Sequence, residues 1–283
     1  MKVAVTGGSG LAGSAVVSHL LDAGYHVLSI DRAQPQKPLA EFRLVDCADL
    51  GQVYGACYGV DAIVHLAAIP RPIHHTSDQV FRTNIMATFN IFEAAVTLEI
   101  PRVVYVSSMS VLGLPFSYKP IQLVYLPIDE AHPQAPQDAY ALSKTLGEDI
   151  AQAFVRRMAG ALSVVSLRFP WIHTPETFKS VLRPLSDNPA GGATNLWGYI
   201  DTRDVAQACQ LALEAEISGH EAFYISAGNT FMKTDSAALA GAFYPEARIK
   251  SRLSGNQSLF DTAKAKARLG YEPQFSWEDY EWS

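Results

Sequence analysis

Thr6-Gly7-Gly8-Ser9-Gly10-Leu11-Ala12-Gly13 is the stretch that decides the fold. A strand-like run, Lys2-Val3-Ala4-Val5, precedes it, and a segment from Leu11 to Ala23 with apolar residues at helical spacing follows it. Glycine recurs at every third position of the stretch, at Gly7, Gly10 and Gly13. Such a turn lets a ligand approach the backbone, and the amino end of the helix attracts a pyrophosphate. The pattern therefore predicts a dinucleotide-binding turn.

Acidic residues end the next two strand-like runs. Asp31 follows the run from His26 to Ile30, about 20 residues after the glycine turn, where a carboxylate accepts hydrogen bonds from the adenosine ribose. This favours NAD, because a 2′-phosphate would meet a like charge, although Arg32 could pair with that phosphate and keeps NADP open. Asp46 follows the run from Phe42 to Val45, and we expect it either to reach the adenine or to cap the next helix.

Strand-like and helix-like segments alternate as far as about residue 170. The later segments read as strands at 61–66, 102–106 and 162–168 and as helices at 80–98 and 140–158. This order predicts an α/β protein with a doubly wound parallel sheet, the Rossmann fold, and a small C-terminal substrate lobe. We expect a dinucleotide-binding domain over 1–170 and a substrate-binding lobe over 171–283 that is interleaved with the last sheet strands. We also expect the proline-rich loop after Ser108 to cover the substrate.

Composition and the short sequence patterns argue against several classes of protein, among them nucleic-acid-binding, membrane-spanning and metal-binding proteins. The chain has 283 residues, 48% of them hydrophobic, and a net charge of −6, which gives no reason to expect a nucleic-acid partner. Its apolar runs are too short to span a membrane, and its first strand begins too early for a leader peptide. Three cysteines without a C-x-x-C pair favour a cytoplasmic location. We expect no metal, because His74-His75 lacks a third ligand at useful spacing.

Tyr140 and Lys144 are spaced i, i+4 at the start of a predicted helix, so they share one face of it. Ser108 ends the preceding strand. A nearby ammonium and a cationic nicotinamide would lower the tyrosine pKa from its usual value near 10. We therefore predict that Tyr140 takes a proton from a substrate hydroxyl whose carbon gives hydride to the cofactor, while Ser108 stabilises the oxygen.

Together these features resemble the extended short-chain dehydrogenase/reductase superfamily, and more narrowly its NAD-dependent epimerase/dehydratase family. The resemblance also rests on His65-Leu66-Ala67-Ala68, Asn84, and the stretches Leu167–Pro170 and Tyr199–Ala206. It implies catalytic roles for Ser108, Tyr140 and Lys144. It also implies a homodimer that pairs the helices predicted at 80–98 and 140–158, and the apolar residues Ile91 and Ala95 would suit that interface. It implies a cofactor path along these residues: Gly7, Gly10, Leu11, Gly13, Asp31, Arg32, Asp46, Cys47, Leu66, Ala67, Ala68, Asn84, Val106, Tyr140, Lys144 and Pro170. Asn84 would support Lys144 through water, and His65 is interpreted as structural.

The substrate is less well defined by the sequence. Members of the family act on nucleotide sugars, free sugars and uronates, and only about 30 residues separate Arg168 from Asp201, which favours a small sugar-like substrate. We expect substrate contacts from Ser108, Met109, Ser110, His173, Arg183 and Trp197. The resemblance to uronate dehydrogenases is incomplete, because they carry Asn-His where this chain has Met109-Ser110. A nucleotide-sugar 4-epimerase or dehydratase that retains its NAD, and a non-catalytic NAD(P) sensor, remain alternative hypotheses.

Overall fold

A computed structural model of the chain describes residues 1–280. The strands of this part of the chain are β1 (Lys2–Thr6), β2 (His26–Asp31), β3 (Glu41–Leu44), β4 (Ala62–His65), β5 (Arg102–Ser108), β6 (Tyr125–Leu126), β7 (Ser163–Phe169), β8 (Trp171–His173), β9 (Tyr199–Asp201), β10 (Gly219–Tyr224) and β11 (Arg248–Ile249). Seven of them form one sheet in the order β10-β7-β5-β4-β1-β2-β3, and every pair in it is parallel. The predicted doubly wound α/β fold is confirmed.

Helices connect and cover the strands. They are α1 (Leu11–Asp22), α2 (Leu50–Cys57), α3 (Ser77–Thr97), α4 (Ala139–Arg157), α5 (Pro175–Thr177), α6 (Arg183–Leu185), α7 (Pro189–Gly192), α8 (Thr202–Glu214), α9 (Ser236–Phe243) and α10 (Ala263–Leu269). Short 3₁₀ turns occupy Met109–Leu112, Ala193–Asn195 and Trp277–Asp279, and Phe178–Leu182 forms a π-helical turn. Within residues 1–280 no helix combines the length and the apolar character needed to cross a membrane.

The sheet is buried on both faces. Alternate residues of each strand point to opposite sides, so Val3 and Val5 of β1 pack with α1 and α8, whereas Ala4 packs with α2, α3 and α4. The parallel register places the carboxyl ends of β1, β2, β4, β5 and β7 along one edge. The loops that leave this edge carry most of the predicted site, as expected for open parallel sheets.

A third hydrophobic core lies outside the sheet. It joins residues of 109–128 to buried residues between 178 and 277, among them Phe231 and Trp277. The Ile128 amide donates to the Leu259 carbonyl at 2.8 Å, and the Asp261 amide donates to the Ile128 carbonyl at 2.7 Å. The loop that the sequence suggested as a substrate cover is therefore anchored to the C-terminal lobe over its second half.

Some local predictions need correction. Helix α2 is capped by Asp49, whose side chain accepts from the Gln52 amide, so the interpretation of Asp46 as the cap is wrong. The apolar residues Ile91 and Ala95 were assigned to a subunit interface on α3, but both are buried in the core beneath that helix. Short strands β6, β8 and β9 were not predicted, because two- and three-residue strands carry no periodicity of their own.

Two helical glycines test how tightly α4 is packed against the sheet. A Cβ at Gly147 of α4 would lie 2.1 Å from the Tyr105 hydroxyl oxygen, which is buried, whereas a Cβ at Gly241 of α9 meets nothing within 4 Å. We predict that Gly147→Ala lowers the free energy of unfolding by about 1–3 kcal/mol through overpacking. Gly241→Ala should raise it by about 0.5–1 kcal/mol through helix propensity. Urea denaturation measures both, and equal stabilisation by the two substitutions would contradict the packing.

Candidate active site

The glycine turn leaves the amino end of α1 open to a ligand. Gly7 has a φ of +73°, and a Cβ there would lie 2.8 Å from the Ala67 amide nitrogen. A Cβ at Gly13 would lie 2.0 Å from the Gly7 carbonyl oxygen. These two glycines are required by the backbone itself. Gly10 is the N-cap of α1 and no side chain caps the helix, so the amides of its first turn, including that of Leu11, are available to a phosphate.

Asp31 lies beside this turn. Its carboxylate accepts from the Ser9 amide at 3.0 Å and from the Ala33 amide at 3.2 Å, which fixes it at the end of β2. A carboxylate has about four acceptor positions, so two more hydrogen bonds from ribose hydroxyls can be accommodated. Arg32 is exposed beside it. This arrangement fits the adenosine end of NAD.

The segment that follows β3 continues the same edge. The Asp46 carboxylate is exposed and accepts from the Ala48 amide at 2.9 Å. Cys47 is buried, its carbonyl accepts from the Asn90 side chain at 3.0 Å, and burial raises the pKa of its thiol to about 12. Cys47 therefore helps to pack the end of this strand and does not offer a reactive thiol.

Small residues follow β4. Leu66, Ala67 and Ala68 are only partly buried, and the Ala67 amide donates to the Thr6 hydroxyl at 3.2 Å. His65 lies beneath them with its Nδ1 2.7 Å from the same hydroxyl, and burial lowers its pKa to about 3. A neutral, hydrogen-bonded histidine agrees with the structural role that we predicted. The uncapped turn, the carboxylate and these small residues together fit an extended dinucleotide.

The three residues expected to act on the substrate meet at this edge. Ser108 ends β5, and the first turns of α4 carry Tyr140 and Lys144. Asp138 caps α4 by accepting from the Tyr140 amide at 2.8 Å, which fixes where that helix begins. Lys144 Nζ donates to the Val106 carbonyl at 2.7 Å and lies 5.8 Å from the centre of the Tyr140 ring.

In the cofactor-free protein, burial dominates the electrostatics of the pair. Burial raises the pKa of Tyr140 to about 12, against a hydrogen bond from Ser108 that favours the phenolate. Burial also lowers the pKa of Lys144 to about 8, against the carboxylate of Glu148, which raises it. The lowering of the tyrosine pKa by the ammonium together with a cationic nicotinamide stays a prediction for the cofactor complex.

Asn84 braces the site from α3. Its side chain accepts from the Ile69 amide at 2.8 Å and donates to the Ile69 carbonyl at 3.2 Å and to the Ser143 hydroxyl at 3.1 Å. Ser143 in turn donates to the Tyr140 carbonyl at 2.7 Å. Asn84 is therefore linked to the Tyr140 backbone through the Ser143 hydroxyl. The support of Lys144 through water that the resemblance implies stays a prediction.

The predicted substrate residues fall into two groups. Met109 and Ser110 are buried in the 3₁₀ turn after β5, where the Ser110 amide donates to the Ser108 hydroxyl at 3.1 Å. Arg183 is exposed on α6. Pro170, which was predicted to contact the cofactor, follows β7 and is buried near this edge.

Two other residues that were predicted to contact the substrate, Trp197 and His173, are buried. Trp197 has no exposed surface, and its indole donates to the Pro189 carbonyl at 2.7 Å. It is a core residue and is not available to a substrate. His173 is also buried, its Nδ1 lies 3.1 Å from the Thr177 hydroxyl, and burial lowers its pKa to about 4.

Sequence reasoning missed three neighbours of the site. The ring of Phe116 meets that of Tyr140 edge to face, with centroids 6.5 Å apart. Glu148 and Arg168 form a buried ion pair at 2.7 Å. Glu148 had a signal, because it follows Tyr140 and Lys144 at i+8 and i+4 and so shares their face of α4. Phe116 had none, since it lies in an irregular loop.

Comparisons with known proteins agree with this geometry. The sequence model of the NAD dependent epimerase/dehydratase family matches residues 3–226. A uronate dehydrogenase of Pseudomonas putida is 28% identical over 223 residues, covering 72% of this chain and 78% of that protein. A UDP-glucose 4-epimerase of Lacticaseibacillus casei is 28% identical over 318 residues, covering 97% and 92%. The structure of a dTDP-glucose 4,6-dehydratase from Streptomyces venezuelae superposes with a TM-score of 0.69, 25% identity, and coverage of 99% and 94%.

The protonation of Tyr140 can be tested without a substrate. Its pKa of about 12 means that the phenol keeps its proton through the neutral and mildly alkaline range in the cofactor-free protein. The tyrosinate absorbance that separates the parent from Tyr140→Phe should therefore be absent at about pH 10, the usual tyrosine midpoint. Added NAD⁺ should bring that absorbance to lower pH. If the absorbance difference between the parent and Tyr140→Phe had reached half of its full size at about pH 10 in the cofactor-free protein, the predicted desolvation would be contradicted.

Proposed function

Since the chain belongs to the NAD dependent epimerase/dehydratase family, we propose that it transfers a hydride between NAD and a hydroxyl-bearing carbon of a sugar-like substrate, with Tyr140 as the base. Family membership makes it an NAD-dependent enzyme of the dehydrogenase, epimerase or dehydratase type. The observation that carries the proposal is the meeting of Ser108, Tyr140 and Lys144 at the sheet edge that also bears the open glycine turn.

In this proposal, three side chains have separate roles in proton transfer: Ser108, Tyr140 and Lys144. NAD supplies the hydride acceptor when it is bound. Tyr140 takes the proton of the substrate hydroxyl, and the Ser108 hydroxyl stabilises negative charge on the same oxygen. Lys144, while protonated, would favour the phenolate and would donate to the ribose of the bound cofactor. Bringing the tyrosine pKa from about 12 to neutrality requires about 7 kcal/mol of preferential phenolate stabilisation. Ammonium and oxidised cofactor must supply it together.

A small substrate is supported by the way the segment between β8 and β9 folds. Helical turns occupy 175–185 and 189–195 of this segment, and Phe178, Leu182 and Trp197 place their side chains in the lobe core. The segment comprises only the 25 residues 174–198, which leaves little chain to hold a nucleotide. We therefore favour a dehydrogenase for a free sugar or sugar acid, with residues 1–170 binding the cofactor and 171–283 contributing the substrate lobe.

The second candidate is an epimerase or dehydratase that retains NAD and acts on a nucleotide sugar. Its support is the nearly full-length match with the UDP-glucose 4-epimerase. A non-catalytic sensor is disfavoured, because the chain keeps Ser108, Tyr140 and Lys144 in one place.

Replacing Tyr140 tests the assignment of the base. We predict that Tyr140→Phe lowers turnover by at least about 100-fold, the usual contribution of a positioned acid or base, while NAD affinity changes little. Tyr58→Phe is the matched control, because that tyrosine is 77% exposed and follows α2. NADH formation from a panel of aldoses and uronates, with calorimetric titration of NAD, measures both quantities. Full activity of Tyr140→Phe would refute the assignment.

The same panel separates the two candidate functions. A dehydrogenase should produce net NADH from an aldose or a uronate. An epimerase should convert a UDP- or dTDP-sugar without a net change in NADH absorbance, so products must also be followed by chromatography. Conversion of a nucleotide sugar with no NADH produced from any free sugar or uronate would favour the second candidate.

We also propose that the enzyme is a homodimer that pairs α3 and α4 with the same helices of a second copy. Met86 and Phe89 of α3 and Leu142 of α4 are large apolar residues with about two fifths of their surface exposed. Exposed apolar side chains on adjacent helices are typical of an interface.

A charged side chain among the exposed apolar residues Met86, Phe89 and Leu142, called here the apolar patch, should separate the subunits. We predict that Phe89→Asp halves the molar mass measured by light scattering, whereas Tyr58→Asp, at an exposed position outside the patch, leaves it unchanged. A parent protein of monomeric mass, or a Phe89→Asp variant that remains dimeric, would argue against this interface.

A further inference from the structure

A buried ion pair lies directly behind the site. The Arg168 guanidinium donates to both carboxylate oxygens of Glu148, from Nε at 2.9 Å and from an Nη at 2.7 Å. Both side chains are only 4% exposed. The same carboxylate accepts from the Ser107 hydroxyl at 2.6 Å and from the side-chain Nε2 of Gln134 at 3.3 Å. Its acceptor positions are fully used, so it remains ionised, and these partners keep its pKa below the usual value.

The pair connects the elements that carry the site. Glu148 extends from α4, one turn beyond Lys144 and two beyond Tyr140. Ser107 immediately precedes Ser108 on β5, and Arg168 lies two residues before Pro170 on β7. Stability alone is a weak reason for such a pair, because desolvation of two charges offsets most of their attraction and apolar replacements are often as stable. Its position next to Lys144 suggests a functional reason.

Lys144 depends on nearby negative charge. Its Nζ donates to one carbonyl, that of Val106, and lies 5.1 Å from the centre of the Tyr105 ring of β5. His65 of β4 also faces it but is held neutral by burial, and Tyr140 is a neutral phenol in the free protein. Around Glu148 itself, Arg168 of β7, the Ser107 hydroxyl of β5 and His220 of β10 favour the ionised form of the carboxyl. Among these groups, the carboxylate of Glu148 is the anion that offsets the desolvation of the ammonium.

We propose that Glu148 is a positioning residue whose buried negative charge, held by Arg168, keeps Lys144 protonated beside Tyr140 at physiological pH. The inference rests on the proposed role of Lys144. Without that charge the lysine would be neutral over part of the physiological range, and a neutral amine neither favours the Tyr140 phenolate nor binds as a cation. Arg168 holds that carboxylate in place with two hydrogen bonds, and without Arg168 the Ser107 hydroxyl and His220 remain to favour the ionised form of Glu148.

Two substitutions break the same ion pair but change the charge near Lys144 in opposite ways. Glu148→Gln removes the anion and leaves the Arg168 cation, so the Lys144 midpoint should fall by about one pH unit or more, from a parent value of about 8. Arg168→Gln leaves the anion and removes a cation, so the midpoint should stay or rise. Glu148→Asp keeps the charge and should restore most of the parent midpoint.

The midpoint can be measured directly by NMR on protein labelled at the lysine Cε carbons. The Lys144 signal is the one that disappears in Lys144→Met, and circular dichroism checks that each variant is folded. A fall in Glu148→Gln together with no fall in Arg168→Gln supports the proposal. Equal shifts in both variants, or no shift in either, would overturn it and leave the pair with a structural role. If Glu148→Gln does not fold, a Lys144 midpoint in Arg168→Gln that falls below the parent value would overturn the proposal by itself.

The titration needs no substrate and no bound NAD, so it separates this proposal from the proposed function. If Lys144 responds to Glu148 but no sugar is oxidised, the charge relation stands and the assigned reaction fails. If sugars are oxidised but the Lys144 midpoint is the same in Glu148→Gln as in the parent, the reaction stands and this inference fails.

Discussion

The backbone of the glycine turn approaches its neighbours more closely than any side chain allows. The Gly13 position lies against the Gly7 carbonyl, and the Gly7 position lies against the backbone at Ala67. This contact brings β1, the start of α1 and the end of β4 to one point. Everything else in the candidate site is positioned from there, because parallel pairing carries the same edge to β5 and β7. A cofactor at the turn would extend along this edge toward Tyr140.

Burial fixes the positions of Tyr140 and Lys144 but also disfavours their charged forms. Hydrogen bonds hold the Tyr140 amide and the Lys144 ammonium in place. Burial raises the pKa of Tyr140 and lowers that of Lys144, so it favours the neutral form of both. The protein opposes this with fixed charge and hydrogen bonds: Ser108 acts on the phenol, and Glu148 acts on the ammonium. The phenolate is consequently disfavoured until a cationic cofactor is added. In the proposed mechanism, removal of the substrate proton by Tyr140 would therefore depend on the presence of the oxidised cofactor.

The sequence was informative wherever a residue type was forced by local geometry. Gly7 and Gly13 are needed for close backbone approach, Asp31 ends a strand at a fixed distance, and Tyr140 and Lys144 share a helix face. Those features define the fold and bring the predicted reactive residues together. Boundaries of long strands and helices were also close, because their periodicity is strong.

Other features depend on contacts that a linear pattern does not encode. Trp197 looked like a substrate contact but fills the lobe core, and Ile91 and Ala95 looked like interface residues but face the sheet. Asp49 rather than Asp46 caps α2, a difference of three residues that the composition of the loop does not decide. The pairing of Glu148 with Arg168 joins residues 20 positions apart and emerges only in the folded chain.

The central claim is that this sheet edge binds NAD with its reactive end beside Ser108, Tyr140 and Lys144. A crystal structure of the complex with NAD tests it most directly. The account predicts the pyrophosphate on the amides at the start of α1, the adenosine ribose on Asp31, and the nicotinamide between Pro170 and Tyr140. A dinucleotide bound elsewhere, or bound in the opposite direction with its adenine at Tyr140, would contradict it.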